Sequence, residues 1–172
     1  YDGAQWTFAQ KINSSEAAVN ASSDTFGDSL HVMPNLLVVG ATGDRVNATA
    51  TSSGAAFVFR YANGRWTREQ KLIASDAAAN RYFGTSVCTD GVRVMVGASG
   101  SRFAGTSGAT YAFAYNGTRW NEEQRVTSLT SSVDEFGTSV ACTTTDGLVG
   151  AILHDDISAG TDSGAGYLFH RG

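Results

Sequence analysis

Apolar residues come in short groups along the whole chain, each bounded by Gly, Asn, Asp, Ser or Thr. Continuous pieces such as Leu36 to Val39 are strand-sized and far shorter than a membrane span. Ala55 to Arg60, Ala109 to Tyr115 and Ala165 to His170 carry aromatic residues in alternation, the period of a strand with two unlike faces. Three further alternating segments begin at Trp6, Trp66 and Trp120. In the second of these, alternation places Trp66, Gln70 and Leu72 on one face and Thr67, Glu69 and Lys71 on the other. Asn63-Gly64 and Asn116-Gly117 stand between the aromatic and Trp-led segments, where they predict tight hairpins, and Asp2-Gly3 holds the same place before Trp6.

These elements repeat. Phe-Gly occurs at Phe26-Gly27, Phe83-Gly84 and Phe136-Gly137, and Gly-Ala at Gly40-Ala41, Gly97-Ala98 and Gly150-Ala151. A second small-residue signal leads into each aromatic strand at Gly54-Ala55, Gly108-Ala109 and Gly164-Ala165. The order never changes, so each unit reads as four short antiparallel strands. The first covers Gly27 to Val32, Gly84 to Cys88 and Gly137 to Cys142; the second Leu36 to Ala41, Val92 to Ala98 and Leu148 to Ile152. The aromatic and Trp-led segments are the third and fourth. Four-stranded repeats of this length predict propeller blades.

The succession Phe-Gly-x-Ser-Val, Val-Gly-Ala, Gly-Ala-x-Tyr/Phe-x-Phe and Trp-x-x-x-x-Lys-Leu resembles the FG-GAP repeats of integrin-alpha-like β-propellers, over essentially the whole chain. The resemblance implies an extracellular or cell-surface module for adhesion or recognition, without enzymatic activity. It also implies about seven blades and, in many members, an Asp-x-Asp-x-Asp-Gly calcium loop. This chain has three repeats and lacks that loop.

The expected fold is all-β: one three-blade module over residues 1–172, with blade 1 at 26–72, blade 2 at 83–126 and blade 3 at 136–172. Blade 3 lacks a fourth strand, while a surplus one stands at residues 1–12. Three blades cannot fill a ring when packed sheets are about 10 Å apart. The sequence therefore predicts that Trp6 to Ile12 completes the last blade of a neighbouring subunit, a head-to-tail contact that closes into a ring or runs on as a filament. Trp6, Phe8 and Ile12 would contribute on the order of 5–9 kcal/mol on burial. Association costs about 4–15 kcal/mol, so blade-on-blade stacking must add to the strand. Two other readings stay open, a fragment of a larger integrin-like propeller and a carbohydrate-binding, lectin-like propeller.

Composition agrees with these expectations. Twenty Gly, one Pro, 16% charged residues and a net charge of −4 suit a turn-rich β protein and argue against a nucleic-acid partner. Membrane insertion is not expected; the partners expected are a second copy and surface glycans or proteins. Cys88 and Cys142 close the first strands of consecutive blades one position out of register. Alternation then turns them towards one another, predicting an inter-blade disulfide and an extracellular setting. Asn13, Asn20, Asn47 and Asn116 begin N-glycosylation sequons in expected loops. His31, His154 and His170 lie far apart and form no zinc pattern, and hydrolase and nucleotide-loop motifs are missing. No catalytic residue and no cofactor are expected. The weak exception is a Ca²⁺ candidate at Asp155, Asp156 and Asp162, where oxygen ligands cluster.

Overall fold

A computed structural model describes residue 3 and residues 5–14, 23–100, 104–129, 134–155 and 160–172. Among the described residues, eleven strands form three antiparallel sheets. The first contains β1 (Phe26–Val32), β2 (Leu36–Ala41), β3 (Ala55–Ala62) and β4 (Arg65–Leu72) in sequential order. The second repeats it with β5 (Phe83–Thr89), β6 (Arg93–Ala98), β7 (Ala109–Tyr115) and β8 (Trp120–Val126). The third has only β9 (Phe136–Cys142), β10 (Asp146–Ala151) and β11 (Ala165–His170), so β11 is an edge. Asn63 and Gly64 turn β3 into β4 with φ of 52° and 79°, the positive values that a type I′ hairpin demands.

Each Phe-Gly phenylalanine is wedged edge-on between two aromatic rings of the third strand in its own sheet. Phe26 meets Phe57 and Phe59, Phe83 meets Tyr111 and Phe113, and Phe136 meets Tyr167 and Phe169, with centroids 5.2 to 6.2 Å apart. The glycine that follows lets the backbone of one sheet enter the preceding one. A Cβ on Gly40 would lie 2.0 Å from the Gly84 carbonyl oxygen, and one on Gly97 equally close to that of Gly137. Gly84 and Gly137 hold φ of 97° and 94°, which side-chain-bearing residues rarely adopt. Ser29 and Ser86 then donate from Oγ to those same carbonyls at 2.7 and 2.8 Å. Sheets two and three are therefore each seated in the sheet before.

The main core fills the first of these junctions. Leu36, Val38, Ala56, Val58 and Leu72 of sheet one pack against Phe83, Val87, Val96, Tyr111, Phe113 and Trp120 of sheet two. The second junction joins Phe136, Val149 and Ala151 to Met95 and Val126. It is also crossed by the Cys88–Cys142 disulfide, with Cα atoms 5.9 Å apart.

One expectation is corrected. Trp66 does not share a face with Gln70 and Leu72. A bulge between Val58 and Phe59 inserts an extra residue into β4, so Trp66 packs with Phe57 and Phe59 while Leu72 packs with Val58 on the other side. The same shift occurs in β8. Residues 5–14 pair with none of the described strands of their own chain.

Replacing Gly40 or Gly97 by Ala drives a Cβ into backbone that cannot move aside. Each substitution should cost near the upper end of the roughly 1–3 kcal/mol typical of overpacked cores, read as a lower urea midpoint. Cys142→Ser opens a link across 54 residues and should cost about 4 kcal/mol in the same assay.

Candidate functional site at the open ends of the stack

The junction between sheets one and two shows every part of the repeating contact. The Gln70 side-chain amide clasps the Trp120 backbone: Trp120 N–H donates to Gln70 Oε1 at 2.7 Å, and Gln70 Nε2 donates to Trp120 O at 2.9 Å. The Trp120 indole is buried, packs at a tilt against Tyr115 with ring centroids 5.2 Å apart and donates from Nε1 to Glu69 Oε2 at 2.9 Å. Arg60 holds Glu69 with both of its carboxylate oxygens. Below the tryptophan, Ser75 donates its N–H and hydroxyl to Glu122 at 2.9 and 2.7 Å.

The N-terminal segment imitates β4 at the front of the stack. Gln10 clasps the Trp66 backbone with the same two hydrogen bonds, both 2.9 Å, and Ile12 packs against the Phe57 and Phe59 cluster. Arg68 donates to the Ser14 carbonyl at 2.7 Å. Gln10 and Ile12 thus hold the segment on sheet one, whereas Trp6 is fully exposed and Phe8 is 85% exposed. Of the three residues expected to bind a neighbour, the structure places Ile12 inward and Trp6 and Phe8 outward.

Both ends of the stack present half of a junction. At the front, a Cβ on Gly27 would meet no atom within 4 Å, and Leu30 and Val32 are exposed where their counterparts Val87 and Thr89 are buried. At the back, a Cβ on Gly150 would meet only Ser139, and Leu148 and Leu168 are exposed where Val38 and Val58 are buried. Between the outer parts of sheets two and three runs a groove of about 180 Å³, bordered by Met95, Val126, Phe169 and the polar rim of Glu123, Gln124 and Arg171.

A cation caps the same aromatic position in the two complete sheets. Lys71 Nζ lies 5.5 Å from the Phe57 centroid, and the Arg125 guanidinium 5.9 Å from that of Tyr111. The Tyr111 hydroxyl donates to Asp76 Oδ1 at 2.5 Å, and Asp76 also pairs with Arg125 at 3.1 Å. Burial, reinforced by Asp76 and partly opposed by Arg125, pushes the Tyr111 phenol up to about 12. On the rim of the groove, hydrogen bonds from Thr145 and then His170 hold the Asp146 carboxyl below its ordinary range.

The remaining expected sites are dispersed. Asn13, Asn47 and Asn116 are exposed; the Asn47 and Asn116 carbonyls accept backbone N–H bonds within their own turns, and Asn20 lies outside the described residues. Asp155 accepts from the Asp162 N–H at 2.7 Å, closing its loop on itself, and Asp156 lies outside the described residues. Among the described residues no three His, Cys, Asp or Glu side chains gather to hold a metal ion. His31 accepts from Thr89 N–H, His154 lies 3.1 Å from the Tyr167 hydroxyl, and His170 is 2.5 Å from Asp146, so each histidine has its own local partner. The glutamine clasp was not among the expected features, although Gln10, Gln70 and Gln124 all stand four residues after a Trp.

Because the Tyr111 phenol titrates higher folded than unfolded, it stabilises the fold fully below about pH 10, and that stability is lost as pH rises towards about 12. Unfolding free energies measured between pH 9 and 11.5 should fall more steeply for the parent than for Tyr111→Phe. Equal slopes would contradict the assignment.

A search of curated proteins finds no match to this chain. Among the described residues no helix is long and apolar enough to cross a membrane. The FG-GAP repeat profile matches three successive stretches, residues 6–59, 66–113 and 120–169, each opening at a tryptophan of the repeat. Repeats of this kind are typically non-catalytic structural modules. With the matched stretches covering most of its length, and with three sheets that repeat the same first three strands in the same order, the chain belongs to the FG-GAP repeat family.

Proposed function

We propose that this protein is an extracellular, N-glycosylated structural or adhesion module that self-associates head to tail by strand donation. Residues 5–12 of one copy add to the β11 edge of the next. The observation that carries this reading is the split junction: each contact that seats one sheet in another inside the chain is half-present at the front and half-present at the back. Gly27 and Gly150 are the two halves of a glycine seat, and Ser139 is the hydroxyl that would donate to the Gly27 carbonyl as Ser29 and Ser86 do to theirs.

The pairing seen between β7 and β8 supplies a register. Tyr115 opposite Trp120, Ala112 opposite Gln124 and Thr110 opposite Val126 become Arg171 opposite Trp6, Leu168 opposite Gln10 and Gly166 opposite Ile12. Lys11 then caps the Tyr167 ring, as Lys71 and Arg125 cap theirs. Adding a strand satisfies the open backbone of β11, which otherwise invites indiscriminate edge pairing.

The disulfide and the repeat type support an extracellular setting, and the exposed Asn13, Asn47 and Asn116 are accessible to glycan addition. A heterologous contact continues as a fibre or closes as a ring. The proposal is the fibre; a six-bladed ring of two copies would revise the symmetry and keep the junction.

Deleting residues 1–12 should convert assemblies to single chains in sedimentation velocity, and undiminished assembly would refute strand donation. Gly150→Ala should have the same effect with little change in thermal stability. Within one chain its Cβ meets Ser139 alone, crowding only that side chain's hydroxyl, whereas across the proposed junction it would strike the Gly27 carbonyl.

A further inference from the structure

We infer that the groove between the second and third sheets, with the exposed Leu129 beyond its lining, is a socket for two aromatic side chains of a second copy, Trp6 and Phe8, with Glu123, Gln124 and Arg171 of the groove and Leu129 as specificity residues. The inference rests on strand donation and adds which residues select the donor. Trp120 shows what an occupied socket looks like: its backbone is clasped by Gln70, its indole N–H is accepted by Glu69, and its ring packs at a tilt against Tyr115. One repeat later these partners are Gln124, Glu123 and Arg171.

Their present state fits a vacant site. Gln124 and Glu123 are exposed where Gln70 and Glu69 are half-buried. The Gln124 amide makes no hydrogen bond among the described residues. Arg60, which holds Glu69, is replaced by Ala114, so Glu123 keeps only a long 3.9 Å contact to Arg93. The planar Arg171 guanidinium, where the other repeats carry Tyr61 and Tyr115, offers the indole a flat cationic face.

The second position gives an independent argument. At the internal junction Ser75 hydrogen-bonds Glu122. The residue that corresponds to Ser75 one repeat later is Leu129, and the one that corresponds to Glu122 in the donor segment is Phe8. A polar pair inside the chain becomes an apolar pair divided between its ends. Leu129 is 88% and Phe8 85% exposed, so each is an unpartnered large apolar side chain whose counterpart stands on another copy. Their chemistry matches one another and mismatches the internal junction, which favours end-to-end contact over slipped registers.

A complementation experiment tests this. Trp6→Ala destroys the plug and leaves the socket; the double variant Glu123→Ala with Gln124→Ala destroys the socket and leaves the plug. Each alone should sediment as single chains at concentrations where the parent assembles, and an equimolar mixture should give two-chain particles and nothing larger. Those particles also show that both variants fold. A third variant pairs Phe8→Glu with Leu129→Ser, rebuilding the internal polar contact at the junction. Each single change should weaken assembly at least tenfold, and the pair should recover most of it. If the socket variant assembles like the parent while deletion of residues 1–12 abolishes assembly, the socket is wrong and strand donation stands. If the deletion also assembles, strand donation itself fails. A parent that remains single chains would assign the groove to further repeats of a longer chain, overturning the second copy as its occupant.

Discussion

Everything in this architecture depends on how closely one sheet can approach the next. At Gly40 against Gly84, and again at Gly97 against Gly137, a backbone carbonyl occupies the space in which any other residue would carry its Cβ. That contact fixes the depth to which sheets interlock, and the serine hydroxyl beside it satisfies a carbonyl that would otherwise be buried without a partner. With the depth set, the aromatic wedge, the disulfide and the glutamine clasp all fall at fixed places along the junction. Because the seat is made of one residue from each of two neighbours, a stack of finite length must end with half a seat at each face.

That incompleteness gives the ends their chemical character. The back face presents alternating apolar side chains and an open strand edge, and the front face presents apolar positions that are buried in the second repeat. Unprotected surfaces of this kind are normally blunted by charge, proline or a covering loop. Here the N-terminal segment, the donor of the proposed assembly, is held on the chain's own first sheet by Gln10 and Ile12. A segment held in this way is partly ordered, which would lower the entropic cost of the strand addition proposed above.

Much of the fold was legible in the sequence because close approach restricts residue type so severely. Glycines that must accept a neighbour's carbonyl, phenylalanines that wedge between rings, and cysteines one register step apart all leave fixed spacings. The β4 and β8 bulges left no such mark. A bulge is decided by pairing between strands, and the alternation of Trp66, Gln70 and Leu72 looks regular until it is paired with β3. The glutamine clasp was written plainly at the fourth position after each Trp. A polar residue in a strand ordinarily reads as solvent-facing, and only the structure shows its amide bridging two sheets. The division of the N-terminal segment into an inward Ile12 and outward Trp6 and Phe8 is visible only in the structure.

The most direct test of the account is cryo-electron microscopy of the intact, uncrosslinked protein at a resolution that separates strands. The account predicts a continuous stack in which every third sheet gains its fourth strand from residues 5–12 of the neighbouring copy, with Trp6 opposite Arg171 and Leu168 opposite Gln10. Isolated particles of one chain, or assemblies in which β11 remains an open edge, would contradict it.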